Sequence, residues 1–240
     1  MIWPFNRRST LIDAGVFQGM TDWHSHILPG VDDGVQTMAE ALETLSYYEQ
    51  LGVTTVWLTP HVMEDIPNST YVLRQRFDEL RSEYQGSINL HLASENMIDN
   101  LLDRRLETGD LLPLGTDGRM LLVETSYFNP PMAFHQRLQR IKDAGYTPVL
   151  AHPERYVYME HADYEALRKM GVVFQMNLMS LTGMYGKMAK VKSMQLLVGQ
   201  AYTLTGTDVH SLDAIRQQLS VAVEKKAIET VNLTWNTSRV

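Results

Sequence analysis

The stretch at residues 21–34, TDWHSHILPGVDDG, concentrates side chains that bind metal ions. His24 and His26 stand one residue apart, and Asp32 and Asp33 follow a Pro-Gly turn. Residues i and i+2 of an extended segment point to the same side, so both imidazoles can bind one ion. The turn can bring the two aspartates back to the same place. We therefore interpret this stretch as the first part of a metal site.

Further candidate ligands directly follow apolar runs along the chain. They are His61 in TPHV, Glu95 in ASEN, Glu124 in LVETS, His152 in AHPER, and Asp208 with His210 in GTDVH. Taken singly, such residues are more often loop hydrogen-bonding groups, helix N-caps or solvated carboxylates. Their shared position after an apolar run favours a common site. His91, His135 and His161 lack that position, and we interpret them as structural.

The number of candidates predicts more than one metal ion. One ion takes about four to six ligands, whereas five histidines and three or four carboxylates indicate two or three divalent ions. Imidazole and carboxylate ligands without sulfur favour Mn²⁺, Fe²⁺ or Zn²⁺ over Ca²⁺ and Mg²⁺. Neighbouring ions of this kind hydrolyse phosphate esters and some amides by activating water and stabilising both reacting oxygens.

Two arginines are candidates for contact with a phosphoryl group. Arg155 follows His152 in HPERY and could donate two hydrogen bonds to phosphoryl oxygens beside the ions. Its alternative role is a salt bridge to Glu154 or to another carboxylate. Arg216 lies eight residues after Asp208 and is a second candidate phosphate contact.

Seven short runs rich in Val, Leu, Ile and aromatic residues are candidate strands. They cover residues 20–24, 53–59, 88–93, 120–125, 147–151, 172–177 and 202–205. Most lack a regular polar alternation, which is typical of strands buried on both faces. Helical patterns lie between them and end at a glycine. They are 37–51 before Gly52, 133–144 before Gly145, 164–170 before Gly171, and a helix ending at Val198 before Gly199.

This alternation predicts an α/β fold with parallel strands, arranged as a closed barrel or as an open doubly wound sheet. No glycine-rich nucleotide loop follows the first strand, which favours the barrel. Six of the seven strands carry a candidate ligand at the carboxyl end, where barrels build their active sites.

Composition narrows the function classes. The 240 residues are 44% apolar and 20% charged, which is enough apolar material for a large core. A net charge of −7 without a basic block argues against binding of nucleic acid or of an anionic membrane surface. The chain has no cysteine, which excludes disulfides and cysteine nucleophiles. It has neither an apolar run of signal-peptide length nor a membrane span, so we expect a cytoplasmic protein.

The motifs DWHSHILPGVDDG, TPH, LVETS, HPERY and TDVH resemble those of the PHP (polymerase and histidinol phosphatase) superfamily. Within it they are most similar to the manganese-dependent bacterial tyrosine-protein phosphatases of capsule and exopolysaccharide clusters (CpsB type). The resemblance implies a single-domain distorted (β/α)7 TIM-like barrel with a trinuclear metal centre over residues 20–240. Residues 1–19 would form an N-terminal extension.

The resemblance also implies roles for individual residues. The metal ligands would be His24, His26, Asp33, His61, Glu95, Glu124, His152, Asp208 and His210. Arg155, Asp208 and His210 would be catalytic, and Arg155 and Arg216 would bind substrate. Glu95 stands in ASEN rather than the usual GAE setting, and the last motif reads GTDVH rather than SDAH. In such enzymes a metal-bridging hydroxide attacks phosphorus and no phosphoenzyme forms.

The implied function is hydrolysis of phosphotyrosine on a tyrosine kinase of capsule assembly, by a protein that self-associates into dimers or rings. One alternative is a phosphatase of a small phosphomonoester such as histidinol phosphate. Another is a non-catalytic scaffold in a polysaccharide assembly complex, and the acidic charge disfavours a phosphodiesterase or exonuclease. Residues 63–76 would be either a substrate-facing lid or a loop entering the next helix.

Overall fold

A computed structural model describes residues 8–237 of the chain and the side chains of residues 8–231. The strands are β1 (Arg8–Ser9), β2 (Thr21–Ser25), β3 (Thr55–Leu58), β4 (His61–Val62), β5 (Asn89–Leu92), β6 (Glu95–Met97), β7 (Met120–Glu124), β8 (Thr147–Ala151), β9 (Val173–Asn177), β10 (Leu204–Gly206) and β11 (Val223–Glu224). The helices are α1 (Met38–Leu51), α2 (Thr70–Glu83), α3 (Asn100–Thr108), α4 (Phe134–Asp143), α5 (His161–Lys169), α6 (Gly186–Val198), α7 (Leu212–Leu219) and α8 (Lys225–Thr237).

The site is built on two parallel sheets. One has the strand order β10-β9-β8-β7-β6-β4 and the other the order β2-β3-β5. All seven predicted strands are confirmed, with ends within two residues of the predicted ones. The α/β class and a curled parallel sheet are therefore established, while the count of seven barrel units stays a prediction.

Two of the predicted strands, 53–59 and 88–93, are each followed after a short break by a second, separate strand. β3 pairs with β2 and β5, whereas β4, only three residues further on, pairs with β6. The break contains Pro60, which has no N–H for the ladder but accepts a hydrogen bond from the Glu95 N–H at 3.1 Å. A second break at residues 93–94 separates β5 from β6. Each break is followed at once by a predicted ligand, His61 or Glu95.

The first and last strands of the two sheets meet at their carboxyl ends. His26 N–H donates to the Val209 carbonyl at 2.9 Å, and Asp208 N–H donates to the His24 carbonyl at 2.8 Å. The approach requires glycine at position 206, because a Cβ there would lie 2.5 Å from the Cβ of His24. The first motif, with His24 and His26, and the last motif, with Asp208, are thus joined by backbone hydrogen bonds.

Alternate residues of the central strands face different cores. Leu121 of β7 and Leu150 of β8 pack in the large core with the helices. Their neighbours Leu122 and Val149 belong to a smaller cluster that also holds Trp57. The Trp57 ring stacks on His91 at 4.6 Å between centroids, and the structural role of that histidine stays a prediction.

All four helices end beside their predicted glycine, and three of these glycines have a left-handed backbone conformation. α1 begins after the N-cap Thr37 and ends at Gly52, which has a φ of 90°. Gly145 and Gly171 are also left-handed after α4 and α5. Gly199 is not, with a φ of −75°, and Gln200 at 50° takes the left-handed position after α6 instead. α6 nevertheless ends at Val198 with Gly199 as its C-cap, as predicted.

The segment before β2 packs on the domain. β1 pairs antiparallel with β11, and Leu11 and Phe17 are buried in the large core. The Trp-Pro-Phe opening lies outside the described residues, and the predicted boundary after residue 19 stays a prediction. Among helices within residues 8–237, none combines the length and apolar character needed to cross a membrane.

Candidate metal centre

All nine predicted ligands meet at the carboxyl ends of the parallel strands. Three groups have ligand atoms within 4.8 Å of one another. They are His26, Asp33, His61 and His210; His24, His26, Glu95 and Asp208; and His61, Glu95 and Glu124. His152 joins them through Glu95, with its Nε2 3.1 Å from Oε1 of that residue. The convergence is the geometry that a site for several ions needs.

Glu95, at the start of β6, lies at the centre of the cluster. Its Oε2 is 3.1 Å from His24 Nε2, 3.3 Å from His26 Nε2 and 3.1 Å from His61 Nδ1. Because it belongs to two of the three groups, its carboxylate is placed to be shared between neighbouring ions.

The cluster is buried on one side and open on the other. The side chains of His24, His26 and Glu95 are fully buried, whereas those of Asp33 and His210 are 67% and 31% exposed. A cavity of about 340 Å³ reaches the open side and is lined by both of these residues. A substrate therefore reaches the cluster from the Asp33 and His210 side.

Closely spaced buried ligand atoms show that this donor set suits cations. His61 Nδ1, Glu95 Oε2, Glu124 Oε1 and His152 Nδ1 make no hydrogen bond, although His61 Nδ1 lies 3.1 Å from Glu95 Oε2 and 3.0 Å from Glu124 Oε1. Only one further buried side-chain atom of the described part of the chain, on Arg137, shares that state. A buried polar atom without a hydrogen bond lowers the stability of the fold by about 1–3 kcal/mol, so such atoms are rare outside functional sites. Imidazole nitrogens and carboxylate oxygens without sulfur are ligands for Mn²⁺, Fe²⁺ and Zn²⁺.

Two supporting residues orient the HxH pair. Asp32 Oδ2 lies 2.8 Å from His26 Nδ1, and Gln175 Oε1 lies 2.8 Å from His24 Nδ1. Both contacts hold the ring so that Nε2 faces the cluster, as carboxylates and amides commonly do behind metal-binding imidazoles. The sequence predicts that Asp32 folds back towards the histidines together with Asp33, but it assigns Asp32 no role. Gln175 is one of two amides, with Asn177, in the otherwise apolar strand β9, and a buried amide in such a strand is the sequence signal for a supporting role.

Two predicted ligands have unusual backbone conformations. His152 has a φ of 33° and Asp208 a φ of 54°, both in the left-handed region. Residues other than glycine adopt it at a cost of about 1–3 kcal/mol and do so most often at functional sites. Strain at these two strand ends therefore accompanies the turning of both side chains into the cluster.

The two candidate arginines differ in position. Arg155 Nη1 donates to Asp208 Oδ2 at 2.6 Å, and its side chain lines the cavity. The alternative expected for it, a salt bridge to a carboxylate, is thus present, with Asp208 as the partner. Glu154 is not that partner, because its carboxylate accepts hydrogen bonds from Ser180 and Tyr202.

Arg216 is not brought to the cluster, contrary to its expected place as a second phosphate contact. Its Nη2 lies 3.1 Å from Glu43 Oε1, and its guanidinium covers the ring of Tyr47. It stands on α7, and its side chain is turned towards α1 at the surface. The geometry therefore gives it a surface ion pair.

Three predictions about neighbouring segments can be compared with the structure. His135 lies in α4 and His161 begins α5, and neither is in a group of candidate ligands. Of residues 63–76, Met63 and Ile66 form a short antiparallel bridge, and α2 starts at Thr70. The segment is thus a turn followed by the first half of a helix.

The charged groups of the cluster shift the pKa values of their neighbours. Burial alone would lower the pKa of His24, but Glu95 and Asp208 outweigh it and raise this pKa to about 9. Burial and the Arg155 charge lower the pKa of His152 to about 4. A hydrogen bond from His210 lowers the pKa of Asp33 to about 2. An ion that binds His24 must therefore displace a proton.

Comparison with known proteins places this site in a family. The sequence model of the family described as "Capsular polysaccharide synthesis, CpsB/CapC" matches residues 20–232. The tyrosine-protein phosphatase YwqE of Bacillus subtilis is 29% identical over 200 residues, covering 80% of this chain and 78% of that protein. The tyrosine-protein phosphatase CpsB of Streptococcus pneumoniae is 28% identical over 214 residues, covering 81% and 84%.

A solved structure shares the fold. It comes from work on YwqE of Bacillus subtilis and CpsB of Streptococcus pneumoniae, described as metal-dependent tyrosine phosphatases. It matches with a TM-score of 0.76 and 24% identity, over 92% of this chain and 87% of the other. The resemblance found in the motifs is confirmed.

Proposed function

The chain belongs to the CpsB/CapC family of capsular polysaccharide synthesis, and from that premise we propose that it is a metal-dependent protein-tyrosine phosphatase. Its substrate would be phosphotyrosine on a tyrosine kinase of capsule or exopolysaccharide assembly in the cytoplasm. The observation that carries the proposal is the convergence of nine candidate ligands beside Arg155 at one open cavity. The phosphatase names of its relatives support the substrate class.

The ligand set would hold two or three divalent ions, with Mn²⁺ as the first choice and Fe²⁺ or Zn²⁺ as alternatives. Bound ions of this kind lower the pKa of water and polarise phosphoryl oxygens. The buried ligand atoms of His61, Glu95, Glu124 and His152 that make no hydrogen bond support this assignment. Glu95 would serve two ions, because it lies in two of the three groups.

Asp208 connects the ion site with the phosphate site. Its Oδ1 lies 3.4 Å from His24 Nε2 and 3.3 Å from His26 Nε2, while its Oδ2 accepts the hydrogen bond of Arg155. One carboxylate thus serves the cluster with one oxygen and holds the guanidinium with the other. Arg155 would bind a phosphoryl oxygen and balance the charge that develops on it.

His210 presents one nitrogen to the open side. Its Nδ1 lies 2.9 Å from the Asp208 carbonyl oxygen, which can only accept, so Nδ1 carries the proton. Nε2 lies 3.5 Å from Asp33 Oδ1, and an ion bound on that side would replace the proton that Nε2 shares with Asp33. The tautomer with the proton on Nδ1 suits the role expected for His210.

The barrel is part of the proposal. We infer that β3 with β4, and β5 with β6, each act as one strand of a distorted (β/α)7 barrel that closes between β10 and β2. The hydrogen bonds of His24 and His26 to the segment after β10 support closure at the carboxyl end. Self-association stays a prediction, as does the division between residues 1–19 and 20–240.

The cavity favours an aromatic phosphomonoester over histidinol phosphate. Its walls combine the site's polar groups with Met179, Met184, Tyr185 and Ile215, which offer apolar contact to a phenol ring. A scaffold without activity would have no use for nine intact ligands, and this argues against the non-catalytic alternative.

The test is a comparison of kcat/KM for a phosphotyrosyl peptide and for histidinol phosphate, with wild type, His24→Ala and His161→Ala. His24 is fully buried in the cluster, whereas the His161 side chain is 89% exposed and outside it. We expect a higher kcat/KM for the peptide, loss of metal and turnover in His24→Ala, and wild-type behaviour in His161→Ala. Preference for histidinol phosphate would reject the substrate, and full turnover in His24→Ala would reject the metal mechanism.

A further inference from the structure

We propose that Tyr127 and Tyr185 are positioning residues that hold Arg155 between their rings and fix the edge that it turns towards a phosphoryl group. The inference rests on the proposed function, because it concerns how the same site binds phosphate. No motif of the sequence analysis includes either tyrosine.

The arrangement of the sheet explains why three loops meet here. Tyr127 follows β7, Arg155 follows β8 and Tyr185 follows β9 by way of a 3₁₀ turn. β8 lies between β7 and β9 in the sheet, so the loop after it is flanked by the loops of both neighbours. The tyrosines therefore approach the guanidinium from opposite sides.

The guanidinium of Arg155 lies over two aromatic rings. Its Cζ lies 4.4 Å from the Tyr127 ring centroid and 4.0 Å from the Tyr185 ring centroid. Both distances are within the range of about 6 Å in which a cation is attracted by an aromatic face. A guanidinium held between two rings would act on a ligand through the N–H groups at its edge.

One part of that edge is already used. Nη1 donates to Asp208 Oδ2 at 2.6 Å, and within residues 8–231 we find no other hydrogen bond of this guanidinium. The side chain is only 16% exposed, yet it lines the cavity that reaches the metal ligands. The remaining N–H groups are thus available to a phosphoryl oxygen in this cavity.

Asn177 connects the metal centre to the clamp, which is the name we give to the rings of Tyr127 and Tyr185 with Arg155 between them. Its Nδ2 lies 3.0 Å from the Tyr185 hydroxyl oxygen and 2.9 Å from Asp208 Oδ2. Asn177 is fully buried, so the Tyr185 ring is held by a fixed group as well as by packing. Tyr127 is supported differently, because its ring stacks on Tyr156 at 6.1 Å between centroids.

The clamp would reduce the entropy that Arg155 loses when it binds phosphate. A free arginine side chain has many accessible rotamers and would lose that conformational entropy on binding phosphate. Holding the side chain in advance removes that loss and keeps the donors in the orientation of the reaction. A purely structural role of the tyrosines would instead lower stability or metal content without a specific effect through Arg155.

The test compares Tyr185→Leu, which removes the ring, with Tyr185→Phe, which keeps it. Tyr47→Leu is the matched control, because Tyr47 also packs against an arginine, Arg216, but outside the cluster. The measurements are the affinity of the Mn²⁺-loaded protein for inorganic phosphate by calorimetry, kcat and KM for a phosphotyrosyl peptide, and bound metal per chain. We expect Tyr185→Leu to lose about tenfold in phosphate affinity and kcat/KM. Tyr185→Phe should stay within about threefold of wild type, with full metal content in every variant.

A double-mutant cycle separates positioning from structure. If Tyr185 acts through Arg155, adding Tyr185→Leu to Arg155→Ala should change phosphate affinity by less than about twofold. An equal tenfold loss in both backgrounds, a loss of metal, or an unchanged affinity in Tyr185→Leu would overturn the proposal. If Tyr185→Leu does not fold, Tyr127→Leu takes its place with the same expectations.

The failure of this inference differs from a failure of the proposed function. Wild type that binds phosphate without hydrolysing the peptide would reject the tyrosine phosphatase, while phosphate affinity would still decide on the clamp. Wild type that hydrolyses the peptide, with Tyr185→Leu equal to it in every measurement, would reject the clamp alone.

Discussion

At the residue scale, one buried carboxylate connects most of the cluster. Glu95 faces three imidazoles through Oε2 and that of His152 through Oε1. Glu124 belongs to a single group, although it is almost as deeply buried. The two glutamates therefore differ in how many groups of candidate ligands they belong to.

This difference predicts unequal metal losses in two matched variants. Glu95→Gln removes a charge that two groups share, and we expect it to lower the metal bound per chain by more than one ion. Glu124→Gln should lower it by one ion at most, since the other two groups keep all their ligands. The measurement is metal per chain by mass spectrometry after gel filtration. Equal losses in both variants would contradict the central place of Glu95.

The protonation of His24 predicts proton release on metal binding. Its pKa rises from 6.5 to about 9 in the metal-free fold, where burial is outweighed by Glu95 and Asp208. This contribution to the stability of the metal-free chain is complete below pH 6.5 and is lost as the pH rises through about 9. Metal affinity has the opposite trend, because the ion competes with the proton, so it should rise with pH up to about 9.

Calorimetry can detect that proton. Titration of Mn²⁺ at about pH 7.5 in buffers of different ionisation enthalpy should give enthalpies that depend on the buffer. His24→Ala should release fewer protons for each ion that it still binds. Enthalpies independent of the buffer would show that the imidazole is neutral before metal binds, and that the charge of Glu95 does not govern it.

At the element scale, the site depends on where strands stop. Apolar runs and glycine caps predicted the seven strands, because burial on both faces leaves a strong pattern. The breaks at Pro60 and at residues 93–94 were not predicted, although Pro60 carried the signal of a missing N–H. Register across the breaks depends on contacts between distant strands, and a single sequence does not reveal them.

The junction of β2 with β10 predicts a specific effect of one methyl group. Gly206→Ala would place a Cβ 2.5 Å from the Cβ of His24, so one strand must move. We expect a loss of about 1–3 kcal/mol in the free energy of unfolding and weaker metal binding, because His24 shifts with its strand. The measurements are urea unfolding and metal content.

Gly199→Ala is the control for that substitution. Its φ of −75° suits alanine, and its Cβ would meet a carbonyl oxygen at 3.3 Å, which needs only a small shift. It should keep full metal content. If both variants bind metal normally and unfold like wild type, the close approach of the two strands is not needed for the site.

At the scale of the whole molecule, two ends of the chain build one site. The HxH pair comes from residues 24–26 and its partner Asp208 from near the other end, and they are joined by backbone hydrogen bonds. Motif spacing predicted this convergence, because carboxyl ends of parallel strands share one edge. It could not predict that Arg216 would pair with Glu43, since the direction of a side chain on α7 depends on the packing of α1 beside it.

The site's shape also belongs to this scale. One side of the cluster is buried, while the open side at Asp33 and His210 leaves a cavity of about 340 Å³ for a substrate. Such an opening suits a phosphorylated side chain that a polypeptide presents from solution.

The most direct measurement of the central claim is hydrolysis of a phosphotyrosyl peptide by protein stripped with a chelator and reloaded with Mn²⁺, Zn²⁺ or Mg²⁺ in turn. We predict no phosphate release from the stripped protein and recovery with Mn²⁺, unaffected by thiol-directed inhibitors because the chain has no cysteine. Phosphate release that persists after the metal has been removed, or none with any ion, would contradict a metal-dependent tyrosine phosphatase.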